Sequence, residues 1–227
     1  MYFTHVEFLC SLIHGMLPRL TVLIMRNCDV PKEASLLKCF TVLQRVTKID
    51  ITNLNFTQDL TQTFTKDLAP KMGEVTDILL EEAVVEPKTL RGLIETIPAR
   101  GVFLDLARSN LTAALMRSFA PSFSGLTSIR RIDVSCTAIG DEGIILLCES
   151  LTQNTVVEEL NVSNCFSHDK ASQSNDVVKA ICNLLVSGCP LKVLKMAGGE
   201  TENQPLGTAI LPIFELLSTQ TVLECLD

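Results

Sequence analysis

One order of apolar residues recurs along the whole chain, and it restricts the fold more than any other feature. Ile129-x-x-Ile132-x-Val134 is followed by Thr137 and Ile139. The same order returns as Val157-x-x-Leu160-x-Val162, with Cys165 where Thr137 stood. Written as L-x-x-L-x-L-x-x-N/C/T-x-L, the pattern starts at residues 20, 46, 75, 101, 129, 157 and 191 and begins again at 223. The intervals are 26, 29, 26, 28, 28, 34 and 32 residues. Gly101 is a weak first position. A unit of this length cannot bury its own apolar side, so neighbours must stack into a solenoid of parallel strands.

Between the matches lie segments with apolar residues at helical spacing. "DEGIILLCESL" carries Asp141 and Glu142 at the positive end of its helix. "NDVVKAICNLLVSG" offers Asn175 or Asp176 as a cap and Gly188 as a stop. "PKTLRGLIETI" opens on Pro87, which a first helical turn tolerates. The repeat is therefore strand, loop, helix, loop. Its strand cores are predicted as Leu23/Met25, Ile49/Ile51, Ile78/Leu80, Leu104/Leu106, Ile132/Val134, Leu160/Val162 and Leu194/Met196. Val6, Leu9, Leu12, Ile13, Met16 and Leu17 predict an amphipathic first helix. A signal peptide is not expected there, because a basic leader is lacking and His5, Glu7 and His14 interrupt the apolar part.

The stretch "IGDEGIILLCESLTQNTVVEELNVSNC" resembles the ribonuclease-inhibitor-like class of leucine-rich repeats, and the resemblance covers essentially the whole chain. Ran GTPase-activating proteins, NOD-like receptors, tropomodulin and CARMIL proteins share that class. It implies an α/β leucine-rich-repeat solenoid, a horseshoe arc of seven to eight repeats with strands on the concave face and helices on the convex face. It also implies three kinds of function: a protein-binding scaffold, a GTPase-activating regulator of the Ran type, or a sensor or actin-regulatory array of a NOD-like-receptor or CARMIL-type protein. The strongly acidic C-terminal run usual in the Ran GTPase-activating family is missing. With no polar capping repeat at either end, residues 1–227 are expected to be a single domain cut from a longer array. Further repeats or a partner chain would cover its ends.

Charge and chemistry narrow the choice. The formal net charge is −7, which gives no electrostatic case for nucleic acid or an anionic membrane. No apolar run approaches the roughly 20 residues of a spanning helix. Nine cysteines without a CxxC, and three histidines not spaced for zinc, predict reduced thiols, no metal and a cytoplasmic or nuclear compartment. Cys10, Cys39, Cys148 and Cys182 are expected to be buried in helices. No phosphate-binding loop, HExxH or GxSxG occurs, so neither an enzyme nor a cofactor is expected.

Strand side chains alternate, so the variable positions face away from the core. Between the two core positions stand Ile24, Asp50, Leu79, Asp105, Asp133, Asn161, Lys195 and Asp227. The aspartates among them read as solvated or locally bonded consensus residues ahead of a cation-binding stripe. Leu79 and Phe103 are apolar residues on that face, rimmed by Asp77, Glu81, Glu82, Asp105 and Arg108, with Arg131 and Asp133 on the next strand. Apolar anchors inside a charged rim are the pattern of a protein-binding hot spot. If the register slipped at Gly101, Phe103 would instead be core. The long loops 166–176 and 197–207 form a second candidate binding edge.

Overall fold

The computed structural model describes residues 21–24, 26–27, 46–53, 55–56, 73–85, 87–97, 101–166, 171–198, 207–219 and 222–227. The expected first helix, Cys10, Cys39, Met25 and most of the 197–207 loop lie outside these residues. The chain divides into two compact units, Met1–Ser109 and Asn110–Asp227.

In the first unit the strands are β1 (Val22–Ile24), β2 (Lys48–Asp50), β3 (Asn55–Phe56), β4 (Asp77–Leu79), β5 (Val84–Val85) and β6 (Val102–Asp105), with helix α1 (Pro87–Thr96). β1, β2, β4 and β6 are neighbours in that order, all parallel, with Leu23, Ile49, Ile78 and Leu104 in register. β3 and β5 form a separate parallel pair. The second unit holds β7 (Ile129–Asp133), β8 (Glu159–Asn161), β9 (Val193–Lys195) and β10 (Cys225–Leu226). Its helices are α2 (Ala113–Ser124), α3 (Gly140–Leu151), α4 (Ala171–Leu185) and α5 (Leu211–Leu217). Its strands are again parallel and in chain order, and each helix packs on the next, α2 on α3, α3 on α4 and α4 on α5.

The predicted strand cores are buried from Ile49/Ile51 through Leu194/Met196, while Leu23 is only half-buried. Gly101 departs from the pattern. It has a left-handed φ of 79° and no side chain to bury, and Val102 fills the core in its place. The register then resumes, so Leu104 and Leu106 are buried and Phe103 faces the other way.

After β1, β2, β4, β6, β7 and β8 the chain turns through one left-handed residue, at Asn27, Asn53, Glu82, Arg108, Cys136 and Asn164. Asparagine tolerates that conformation, whereas Glu82, Arg108 and Cys136 hold it at some strain. The N–H of such a residue can donate to the following repeat, as Asn53 does to the Glu81 carbonyl at 2.8 Å and Cys136 to Ser163 at 2.9 Å. The parallel pairing thus continues past the strands.

Two helix expectations are corrected. α4 starts at Ala171, so Asn175 and Asp176 lie inside it and cap nothing, and much of the expected 166–176 loop is helix. Cys182 is half-buried, not buried. Cys148 is fully buried, and burial, with Glu149 nearby, pushes its thiol up to about 12. Among the described residues every cysteine is a free thiol.

Candidate functional site

The nine predicted site residues fall into two groups. Asp77, Leu79, Glu81, Glu82, Phe103, Asp105 and Arg108 belong to the first unit, and Arg131 and Asp133 to the second.

On the outward strand face of the first unit the register sets Asp77 beside Phe103 and Leu79 beside Asp105, so apolar and acidic side chains alternate like a chequerboard. Leu79 and Phe103 are half-buried, which places Phe103 outside the core and keeps the register intact. Further along the same face, Val22 and Ile24 of β1 are 41% and 56% exposed. The rim is internally bonded. Arg108 donates to Glu81 at 2.5 Å, and Thr76 Oγ1 donates to Asp77 at 2.7 Å. Glu82 stands exposed at the left-handed turn.

The aspartates between the core positions serve the turns. Asp105 accepts from the Ala107 N–H at 3.0 Å, Asp133 from Ser135 at 2.8 Å, and Asn161 from Ser163 at 3.0 Å. Each closes the turn after its own strand, as Asx side chains do. Asp133 also accepts from Asn161 Nδ2 at 2.7 Å. The local-bonding reading therefore holds, and among the described residues no cluster of metal-ligating side chains is present. Leu79 occupies the same position and can offer its turn no acceptor.

Asp50 is the member of this series that sequence reasoning placed without a role. Its carboxylate is fully buried. It accepts from Arg26 Nε at 3.0 Å and Nη2 at 2.5 Å, and from Thr52 Oγ1 at 2.9 Å. Burial disfavours its charge, but the hydrogen bonds from Arg26 and Thr52 and the guanidinium charge outweigh that and hold the carboxyl below the usual aspartate range. A depressed folded-state pKa gives stability that is present above the unfolded value, near about 3.9, and is lost as pH falls through the folded value. Asp50→Asn is therefore expected to flatten part of the acid loss of stability that denaturant titrations read as pH falls below about 5. An unchanged acid slope would count against Asp50 as its source.

In the second unit the same face is polar and satisfied. Arg131 and Glu159 are register partners, as are Asp133 and Asn161, and Lys195 donates to Glu159 at 2.7 Å. Just ahead of these strands Glu158 lies between Arg130 at 2.5 Å and Lys192 at 3.2 Å. The hydrogen bond from Arg130, despite some desolvation and with Lys192 adding to it, holds the Glu158 carboxyl below its ordinary range. Exposed pairs of this kind add little stability, but they align neighbouring strands.

Strand, left-handed turn and helix recur at the predicted interval, with the predicted residues buried. The sequence is also 29% identical over 136 residues to Protein CARMIL of Dictyostelium discoideum. Each unit has the fold of an α/β leucine-rich-repeat array. That match covers 60% of this chain and 13% of CARMIL. The Rho GTPase-activating protein gacW of the same organism is 27% identical over 106 residues, 47% of this chain and 9% of that protein. This chain thus spans only a small part of either relative. Among solved structures, Leiomodin-1 Actin-Binding Site 2 covers 95% of this chain and 89% of its own at 13% identity, with a TM-score of 0.41. No protein-family profile matches the sequence. Among the described residues no helix of this leucine-rich-repeat chain is long and apolar enough to cross a membrane.

Proposed function

We propose that this leucine-rich-repeat chain is a non-enzymatic protein-binding array of a CARMIL-type, actin-regulatory protein, and that it holds a partner protein on the outward strand face of its first unit. One observation carries the reading. At the position where Asp50, Asp105, Asp133 and Asn161 each close a turn, Leu79 gives up that hydrogen bond and presents an apolar side chain diagonal to Phe103. The framework does not require an apolar residue there. A partner would, because anchors of this kind supply most of the energy of a protein interface. Asp77, Glu81, Glu82, Asp105 and Arg108 then form the polar rim. The likeness to CARMIL supports the choice of array.

Phe103→Ala is expected to weaken partner binding by about 2 kcal/mol or more while the melting temperature stays near that of the parent chain. Truncation of a buried core phenylalanine would instead cost roughly 3–5 kcal/mol of stability. The measurement is a pull-down of the partner by the complete gene product, followed by affinity and thermal unfolding of the variant. Intact affinity would move the binding site to the long loops. A large loss of stability would show that Phe103 serves packing.

A further inference from the structure

Two rows of side chains cross the outward strand face of the first unit. Asp50, Leu79 and Asp105 are register partners in one row, and Lys48, Asp77 and Phe103 in the other. β4 lies between β2 and β6, so Leu79 is interior to the sheet and has an aspartate on each side. Adjacent strands stand about 4.8 Å apart, and side chains two residues apart on one strand about 6.6 Å. Leu79, Phe103, Asp77 and Asp105 therefore mark the corners of a rectangle that one long side chain can cover.

Asp50 shows what an aspartate in the first row holds. Its carboxylate accepts from Thr52 Oγ1 in the turn after its own strand, and from Nε and Nη2 of Arg26. The Arg26 side chain stays 53% exposed while it does so, which keeps the guanidinium on the outward face. Asp105 has the same place two strands along and closes its turn through Oδ1. That turn needs an acceptor and no charge, because Asn161 closes the equivalent turn after β8.

Charge and apolar surface together select the occupant. β1, β2, β4, β6 and the turns after them carry five carboxylates, Asp50, Asp77, Glu81, Glu82 and Asp105, against three cations, Arg26, Lys48 and Arg108. A side chain for the rectangle must therefore join an apolar stem to a cation. Arginine does so: its methylenes cover apolar neighbours, its guanidinium stacks on an aromatic ring, and its fork matches a carboxylate. Lysine brings a point charge without the fork.

We infer that Leu79, Phe103, Asp77 and Asp105 form a subsite for an arginine side chain of the partner protein, with the stem on Leu79 and Phe103 and the guanidinium at Asp105. The assignment rests on the proposed binding of a partner to this face and names the chemistry of its anchor.

The probes are Nα-acetyl-arginine amide and its uncharged counterpart, Nα-acetyl-citrulline amide. Each is titrated into the methyl-labelled full chain and followed by NMR at the Leu79 methyl groups. The arginine amide is expected to shift those signals to saturation, more weakly as salt rises, and the citrulline amide to leave them in place. Asp105→Asn keeps the turn acceptor, as Asn161 does, and is expected to weaken the arginine amide about fivefold. Leu79 signals that ignore the arginine amide, that respond equally to citrulline, or that respond equally in Asp105→Asn would overturn the assignment. The partner pull-down separates the subsite from the face. Loss of the partner from both Phe103→Ala and the double variant Asp77→Asn with Asp105→Asn supports the arginine anchor. Loss from Phe103→Ala alone rejects the anchor and keeps the face, and retention by both rejects the face.

Discussion

Asn154→Ala is expected to destabilise the second unit on the order of 3–5 kcal/mol, the largest effect of any single polar substitution proposed for this chain. Asn154 is fully buried and uses both ends of its amide. Nδ2 donates to the carbonyls of Phe123 at 2.8 Å and Leu126 at 3.1 Å, at the end of α2 and in the turn beyond it. Oδ1 accepts from the N–H groups of Val156 and Val157, each at 2.8 Å, just before β8. One side chain thus ties the exit of one repeat to the strand entry of the next. Alanine takes this partner from the Leu126 carbonyl and from the Val156 and Val157 N–H groups, while the Phe123 carbonyl keeps the N–H groups of Gly125 and Leu126, and an orphaned buried polar group costs roughly 1–3 kcal/mol before relaxation. Asn154→Asp should do no better. It keeps the acceptors but faces two carbonyl oxygens with a carboxylate that has nothing to donate. Thermal and denaturant unfolding of both variants decides the matter, and a loss below about 1 kcal/mol would mean that water replaces the amide at little cost.

That bond also shows where sequence reading stops. The strand cores were legible because stacking repeats the same environment, and a buried strand face must be apolar at the same offsets in every unit. Asn154 lies within the most typical repeat, yet its role depends on carbonyls 28 and 31 residues earlier, a pairing no local pattern encodes. Val102 taking the place of Gly101 was hidden for a related reason. A glycine that leaves its position empty lets the adjacent residue turn inward, and only the packed neighbours fix which one does. Asn175 and Asp176 are good capping residues in the wrong place, since α4 takes an extra turn before them. At the candidate site, alternation along the strands was enough to set Leu79 and Phe103 on the outward face. The ties of Asp50 to Arg26 and Glu81 to Arg108 cross from repeat to repeat and needed the register.

Gly143→Ala is expected to destabilise the chain by about 1–2 kcal/mol, against the usual sign of such a change. In the interior of a helix, alanine ordinarily gains up to roughly 1 kcal/mol over glycine. Gly143 lies in the first turn of α3, where a Cβ would stand 2.5 Å from Ile139 Cβ and 3.4 Å from both Ile139 Cγ1 and Met116 Cγ. Ile139 and Met116 are both fully buried, so neither has solvent to move into. The 2.5 Å contact is with an atom fixed directly to the backbone, and no rotamer change of Ile139 removes it. The backbone at the start of α3 must shift instead, and it is held there by the Gly143 N–H donating to the Ile139 carbonyl at 3.0 Å. Overpacking of that kind costs typically about 1–3 kcal/mol, which exceeds the propensity gain. A double-mutant cycle with Ile139→Ala separates the causes, because alanine keeps the offending Cβ while removing the branches beyond it. If the clash lies at Cβ, the two substitutions add within about 0.5 kcal/mol; clear rescue in the double variant would place the crowding farther out along the isoleucine.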